Sequence, residues 1–279
     1  MRQLDVTLPD VTLSVRQQGD GESGADFLLV HGLASNARLW DETAAVLVDA
    51  GHRTWAVDLR GHGESGLPDS GFDSGTAAKD LAAVCAALGL SSVIVAGQSW
   101  GGNVAVRFAA EHPELVTGLA LVDGGWIDLA AEFGSWQECA NALRPPDVNG
   151  MPFDNLLDYL RSAHPDWSET AIQATAFNLR ELPDGTAERR LPITRHMEIV
   201  RDMWDNPPWP WLPQITAPTL LVPALSADDP ARADQTRRRV AAAAAAIPLV
   251  RVSEYPGGDH DLHAQRPKEL AADLLSLAG

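Results

Sequence analysis

The feature that most constrains this chain is a G-x-S-x-G pentapeptide set between an apolar run and a run of small residues. The segment reads IVAGQSWGGN from Ile94 to Asn103, which predicts a strand, a sharp turn and then a helix. Glycines at 97 and 101 lack the Cβ atoms that would collide with neighbouring backbone in such a turn. The pattern therefore predicts that Ser99 lies exposed at a helix N-terminus, where the helix dipole and free N–H groups favour developing negative charge.

Short apolar runs alternate with helical stretches along the rest of the 279 residues, which predicts an α/β fold with a parallel sheet and crossover helices. The predicted strands are 11–15, 27–30, 54–57, 93–96, 119–122, 219–222 and 249–252, and the predicted helices are 37–50, 76–88, 101–111, 232–246 and 267–277. Between 123 and 218 the strand signal disappears, and the sequence reads as short helices and loops rich in Trp and Pro. An insertion of that size at one sheet connection predicts a lid or cap.

Two further motifs supply partners for a serine nucleophile. A predicted strand ends in His31-Gly32, and the backbone N–H of Leu33 could pair with that of Trp100 as a two-donor oxyanion hole. We interpret His31 as a structural histidine under that loop. A Gly-rich loop after the last strand carries His260, which we predict to be the general base, with His263 as the alternative.

Other interpretations of these loops are weaker. The turn from Asp58 to Gly66 is rich in glycine but fits neither dinucleotide nor P-loop patterns, so we expect it to support the site. Asp259, His260 and His263 could ligate a metal, but their spacing is not that of a zinc-binding helix motif. No metal is expected.

Together these motifs resemble the α/β-hydrolase fold family, in the family's order and over the core from about 11 to 277. The resemblance implies a mostly parallel eight-stranded sheet flanked by helices, a Ser-acid-His triad and a helical cap inserted after the sixth strand. The expected division is a core of 1–124 and 214–279 and a cap of 125–213.

The acid of the triad has two candidate positions. Most family members carry it after the seventh strand, but the usual Gly-x-x-Asp turn is missing there, and Asp228 or Asp229 would need extra residues in the loop. A smaller set carries it after the sixth strand, where Asp123 precedes two glycines. We favour Asp123, with Asp229 next and Asp228 behind it.

The function that the resemblance implies is hydrolysis of a carboxylic ester or lactone through an acyl-enzyme on Ser99, with no cofactor. The elbow is also similar to that of haloalkane dehalogenases and epoxide hydrolases, but those carry an aspartate where Ser99 stands, and a serine adduct with an alkyl halide would be an inert ether. Carbon–carbon bond hydrolysis, thioester hydrolysis, perhydrolysis and a slow-turnover receptor of the same fold are the alternatives. The cap residues Trp126, Trp136 and Trp204 predict an uncharged, bulky or cyclic substrate.

Charge and cysteine content bear on partners and compartment. With Lys+Arg 21 against Asp+Glu 38, the net charge of −17 repels nucleic acid and anionic lipid. Cys85 and Cys139 are too few for a disulfide framework, and no stretch approaches a membrane span. We expect a cytoplasmic protein whose partner is a small-molecule ester or lactone, with a homodimer as the one protein assembly considered.

Overall fold

The computed structural model describes residues 1–21 and 24–279. Its strands are β1 (Arg2–Thr7), β2 (Thr12–Gln18), β3 (Asp26–Val30), β4 (Arg53–Val57), β5 (Val93–Gln98), β6 (Val116–Val122), β7 (Leu179–Glu181), β8 (Ala187–Arg189), β9 (Thr219–Val222), β10 (Ala224–Leu225), β11 (Val250–Val252) and β12 (Tyr255–Pro256). Its helices are α1 (Asp41–Asp49), α2 (Ser74–Leu88), α3 (Trp100–Glu111), α4 (Leu129–Glu132), α5 (Trp136–Leu143), α6 (Phe153–Ala163), α7 (Glu169–Ala176), α8 (Ile193–Asp205), α9 (Pro230–Ala246), α10 (Leu262–Gln265) and α11 (Pro267–Leu275), with 3₁₀ turns at Ala37–Trp40 and Leu212–Gln214.

An eight-stranded sheet in the order β1-β2-β4-β3-β5-β6-β9-β11 organises the described chain. The β1–β2 and β2–β4 pairs are antiparallel and the remaining pairs are parallel, as the resemblance implied. The seven strands predicted from apolar runs are all present. The first strand was not predicted, because its alternating Leu4 and Val6 lie on an edge strand that is mostly exposed.

The central strand β3 shows why helices cover both faces of the sheet. Residues 27 to 30 are all fully buried, and their side chains alternate between two cores. Leu28 and Val30 pack into the core beneath α2 and α3, whereas Phe27 and Leu29 pack into the core beneath α1 and α11. A continuous apolar run is therefore what this position requires.

The chain leaves the sheet after β6 and returns at β9, and α4 to α8 fill the interval. The prediction that this segment contains no strands is wrong, because β7 and β8 pair as a short antiparallel hairpin within it. Strands of three residues, mostly exposed, carry too few apolar positions to show alternation in the sequence. No helix in the described residues is long and apolar enough to cross a membrane.

The turn between β4 and α2 is held by a buried guanidinium. Arg60 donates to Asp80 Oδ1 at 2.8 Å and to Asp10 Oδ2 at 2.6 Å, and the side chains of Arg60 and Asp80 are only 7 % and 6 % exposed. Removing one partner of a buried ion pair leaves the other charge buried without compensation, which is strongly destabilising.

We expect Asp80→Ala to lower the free energy of unfolding by about 3 kcal/mol, because Arg60 then keeps only its more exposed partner Asp10. Urea denaturation followed by circular dichroism measures this change. Asp205→Ala is the control, since Asp205 pairs with the exposed Arg201 and should barely move the unfolding midpoint. Equal effects of the two substitutions would contradict the assignment.

Candidate active site

The backbone at Ser99 is held in a conformation that residues other than glycine rarely adopt. Ser99 joins β5 to α3 with φ 54° and ψ −123°. A Cβ at Gly97 would lie 2.3 Å from the carbonyl oxygen of Gly101, and one at Gly101 would lie 2.4 Å from that of His31. The glycines therefore let the turn pack directly on neighbouring backbone, as the pentapeptide predicts.

The loop after β3 lies against this turn. A Cβ at Gly32 would meet Gln98 Oε1 at 2.4 Å and Ser99 Cβ at 3.0 Å, so the next residue, Leu33, is held beside the serine. Leu33 and Ser99 line the same cavity. Among the described residues, neither Leu33 N–H nor Trp100 N–H donates to a backbone carbonyl. The two N–H groups predicted to form the oxyanion hole are thus without a backbone acceptor in the described chain.

Two buried histidines support that loop from beneath. His31 donates from Nδ1 to the Gly32 carbonyl at 2.7 Å and accepts from Leu59 N–H at 3.0 Å. His62 accepts from the N–H of Ala34, which has φ 56°. Burial lowers the pKa of His31 well below 6.5 and that of His62 to about 4, so both rings are neutral. The interpretation of His31 as a structural residue is confirmed.

His260 meets Asp123 at the edge of the sheet where Ser99 lies. His260 Nδ1 donates to Asp123 Oδ2 at 2.6 Å, and the N–H of Ala224 donates to the other carboxylate oxygen at 3.0 Å. Gln98 donates from Nε2 to the His260 carbonyl at 3.0 Å, a contact that the sequence analysis did not anticipate. His260 and Ser99 line the same cavity. In the described chain no hydrogen bond joins their side chains, a bond that in hydrolytic sites often tightens only with substrate.

The acidic side chains around His260 favour its protonated form. Burial is the largest single effect on the pKa of the imidazole and opposes protonation, although the side chain is 46 % exposed. The hydrogen bond and charge of Asp123, with the charges of Asp261 and Asp259, outweigh burial and raise the pKa of His260 from 6.5 to about 9. His260 therefore needs a pH above neutrality to become a free base.

The alternative site residues make other contacts, although Asp229 lines the same cavity as Ser99. Asp229 accepts from the Arg232 N–H at 3.0 Å and caps α9, and Asp228 is exposed in the turn before it. His263 is fully buried with its ring against Trp40, and burial lowers its pKa to about 3. Asp259 pairs with His164 at 3.2 Å. The described residues contain no group of three or more acidic, His or Cys side chains that could hold a metal.

A cavity of about 910 Å³ opens over Ser99 and His260. Its apolar wall comes mainly from the segment after β6 and comprises Trp126, Ile127, Leu129, Phe133, Leu143, Val200 and Met203. Trp126 thus lines the cavity, whereas Trp136 and Trp204 pack edge to face on each other with ring centroids 6.0 Å apart. A second cavity of about 120 Å³ lies on another side of Ser99 and His260, against Thr175 and Asn178.

The wall opposite these apolar residues is polar and comes from α9. Arg232, Gln235, Thr236 and Arg239 line the cavity at helical spacing, together with Arg238. Arg239 reaches across to Glu132 of α4 at 2.6 Å. Sequence analysis missed this wall, because the i, i+3, i+4, i+7 spacing shows only that these polar residues share one helix face and not that the face lines a cavity.

The known proteins that this chain resembles include hydrolases of one fold family. A family model described as alpha/beta hydrolase fold matches residues 27–267. An esterase of Mycobacterium tuberculosis is 31% identical over 206 residues, which is 72% of this chain and 66% of the esterase. The 2-(acetamidomethylene)succinate hydrolase of Mesorhizobium japonicum is 35% identical over 118 residues, 42% of this chain and 41% of that enzyme. The matched segments thus span less than two thirds of either relative.

Solved structures agree on the fold over almost the whole chain. The crystal structure of an E-2-(acetamidomethylene)succinate hydrolase superposes with a TM-score of 0.78 at 24% identity, covering 99% of this chain and 98% of that one. A thioesterase domain from the curacin biosynthetic pathway superposes with a TM-score of 0.78 at 22% identity, covering 99% of each chain. The family match, the sheet order and the turn at Ser99 all indicate that the chain belongs to the α/β-hydrolase fold family.

Proposed function

We propose that this protein is a serine hydrolase that cleaves a carboxylic ester or lactone through an acyl-enzyme intermediate. The observation that carries the proposal is the 2.6 Å contact between His260 Nδ1 and Asp123 Oδ2 beside the strained turn of Ser99. An imidazole held at Nδ1 in this way leaves Nε2 to act as the base once the ring is deprotonated, and Ser99 lines the same cavity. These are the parts that acyl transfer to a serine requires.

In the proposed reaction, His260 Nε2 accepts the proton of the Ser99 hydroxyl while the oxygen attacks the substrate carbonyl carbon. The resulting oxyanion accepts hydrogen bonds from the backbone N–H groups of Leu33 and Trp100, and one such donor is worth about 3 kcal/mol of barrier. His260 then protonates the departing alcohol oxygen as the carbon–oxygen bond breaks. A water molecule, deprotonated by His260, cleaves the acyl-enzyme and restores the serine.

The two cavities provide places for the two halves of such a substrate. The 910 Å³ cavity has an apolar wall that includes Trp126 and Phe133, which suits a bulky or cyclic apolar group. The 120 Å³ cavity beside Ser99 suits a small group on the other side of the scissile bond. The arginines of α9 depart from the expectation of a wholly uncharged substrate, which rested on the cap tryptophans.

Substitution of the proposed triad residues should show whether Asp123 or Asp229 is the acid that orients His260. We expect Ser99→Ala to lower kcat for 4-nitrophenyl butyrate by at least about 10⁴-fold and Asp123→Asn by about 10³-fold, because the imidazole loses its orienting partner. Asp229→Asn, which removes a carboxylate from the same cavity, is the matched control and should retain most of the activity. If Asp229→Asn is the variant that fails, the triad is assigned wrongly.

The same variants test the bond that is cleaved. Rates on 4-nitrophenyl esters, γ-lactones, thioesters and diketones should all depend on Ser99, and an ester or lactone should have the highest kcat/KM. Hydrolysis of a diketone alone would indicate the carbon–carbon hydrolase alternative.

The acidic surroundings of His260 give a prediction for pH. The base must be unprotonated to act, and its pKa is raised to about 9. The ascending limb of the pH profile of kcat/KM for a neutral ester should therefore have its apparent pKa above 6.5. Asp261→Asn removes one negative charge near the ring and should move that limb to lower pH. Asp205→Asn, at an exposed pair on α8, should leave it in place. A wild-type limb at or below pH 6.5 would contradict the electrostatic analysis.

A further inference from the structure

Two of the arginines that line the large cavity differ from the other arginines of α9 in having no side-chain partner among the described residues. On α9, Arg239 pairs with Glu132, and Arg237 pairs with Asp234 and Glu254. Arg232 and Arg238 line the cavity, and within residues 1–21 and 24–279 neither guanidinium has a hydrogen-bond or ion-pair partner.

The acidic groups on this wall are already engaged. Asp229 accepts the Arg232 N–H at the start of α9, and Glu132 accepts from Arg239. Burial raises the pKa of Glu132, and the charges of Arg239 and then Arg232 act against that effect, which places the Arg232 charge near this carboxylate. Asp123 is bound to His260. The two unpaired arginines are therefore the groups left to meet a ligand.

These positively charged arginines lie in a molecule whose net charge is strongly negative. The chain has 21 basic residues against 38 acidic ones, and its net charge of −17 repels anions at long range. The cavity that contains Ser99 is lined by three arginines and three acidic residues, so its wall is formally neutral although the whole chain is strongly negative. Arginine presents a planar fork of donors that matches a carboxylate, and such charge-assisted hydrogen bonds are stronger than neutral ones.

We propose that the substrate of this site is an ester or lactone that also carries a free carboxylate, which Arg232 and Arg238 bind while the apolar wall holds the carbon skeleton. This inference rests on the proposed serine-hydrolase function and names its substrate class. The carboxylate is not consumed in the reaction. It anchors the substrate so that the carbonyl carbon lies at Ser99.

The test compares pairs of 4-nitrophenyl esters that differ only in charge. Mono-(4-nitrophenyl) esters of adipic, pimelic and suberic acid are each compared with the 4-nitrophenyl alkanoate that carries a terminal methyl group in place of the free carboxylate. The uncatalysed release of 4-nitrophenol is subtracted. We expect kcat/KM for at least one carboxylate ester to exceed that of its neutral partner by about 10-fold or more. Added salt should reduce the ratio, because it screens the exposed arginines.

Arg232→Gln with Arg238→Gln should lower that ratio by about 10- to 100-fold, mainly through a higher KM. Arg237→Gln is the matched control, since its side chain pairs with Asp234 and Glu254 instead of lining the cavity. Arg237→Gln should leave the rate on the neutral ester unchanged, and circular dichroism of the double variant reports whether it is folded.

A wild-type ratio near one at every chain length, or a ratio that survives the double substitution, would overturn the carboxylate assignment. Serine-dependent hydrolysis of the neutral esters would still support the hydrolase function. Loss of hydrolysis of all esters in the wild-type protein would instead overturn the proposed function itself.

Discussion

The whole site depends on the backbone of Ser99 being held at φ 54° and ψ −123°. Such a conformation costs about 1 to 3 kcal/mol for a residue with a side chain and persists only where packing enforces it. The backbone conformation of Ser99 is held by close backbone packing among the ends of β3, β5 and β6. A Cβ at Gly101 would lie 2.4 Å from the His31 carbonyl oxygen, and one at Gly124 would lie 2.2 Å from the Ser99 carbonyl oxygen. This close packing brings the ends of β3, β5 and β6 together, and with them the groups proposed for catalysis.

The position of the acidic partner follows from the same packing. Asp123 directly follows β6 with φ 41°, and its carboxylate accepts a hydrogen bond from His260 while the chain continues through Gly124 and Gly125. Asp229 had the same chemistry to offer, but the chain after β10 runs straight into α9, where its carboxylate caps the helix. A carboxylate that satisfies a helix N-terminus is not available to orient an imidazole. These contacts support the proposal that Asp123 is the acid of the triad.

Sequence reasoning succeeded where a function needs particular residues close together along the chain. The turn at Ser99, the loop after His31 and the seven strands predicted from apolar runs all depend on local patterns of glycine and apolar residues. It failed where tertiary packing decides the outcome. The arginines of α9 look like a solvated face beside the alanine run at 241–246, and only the folded chain shows that Arg232 and Arg238 line the cavity over Ser99. Trp136 and Trp204, which the sequence suggested as substrate contacts, pack on each other instead.

The large cavity therefore combines a mainly apolar wall from the segment after β6 with a polar wall from α9 that carries three arginines, and the proposed nucleophile lines the same cavity. The most direct test of the central claim is to treat the protein with a fluorophosphonate and locate the adduct by intact mass and peptide sequencing. The account predicts a single phosphonyl group on Ser99, no labelling in Ser99→Ala and much slower labelling in His260→Ala. A protein that hydrolyses esters yet takes the label at another residue, or labels equally fast without His260, would contradict it.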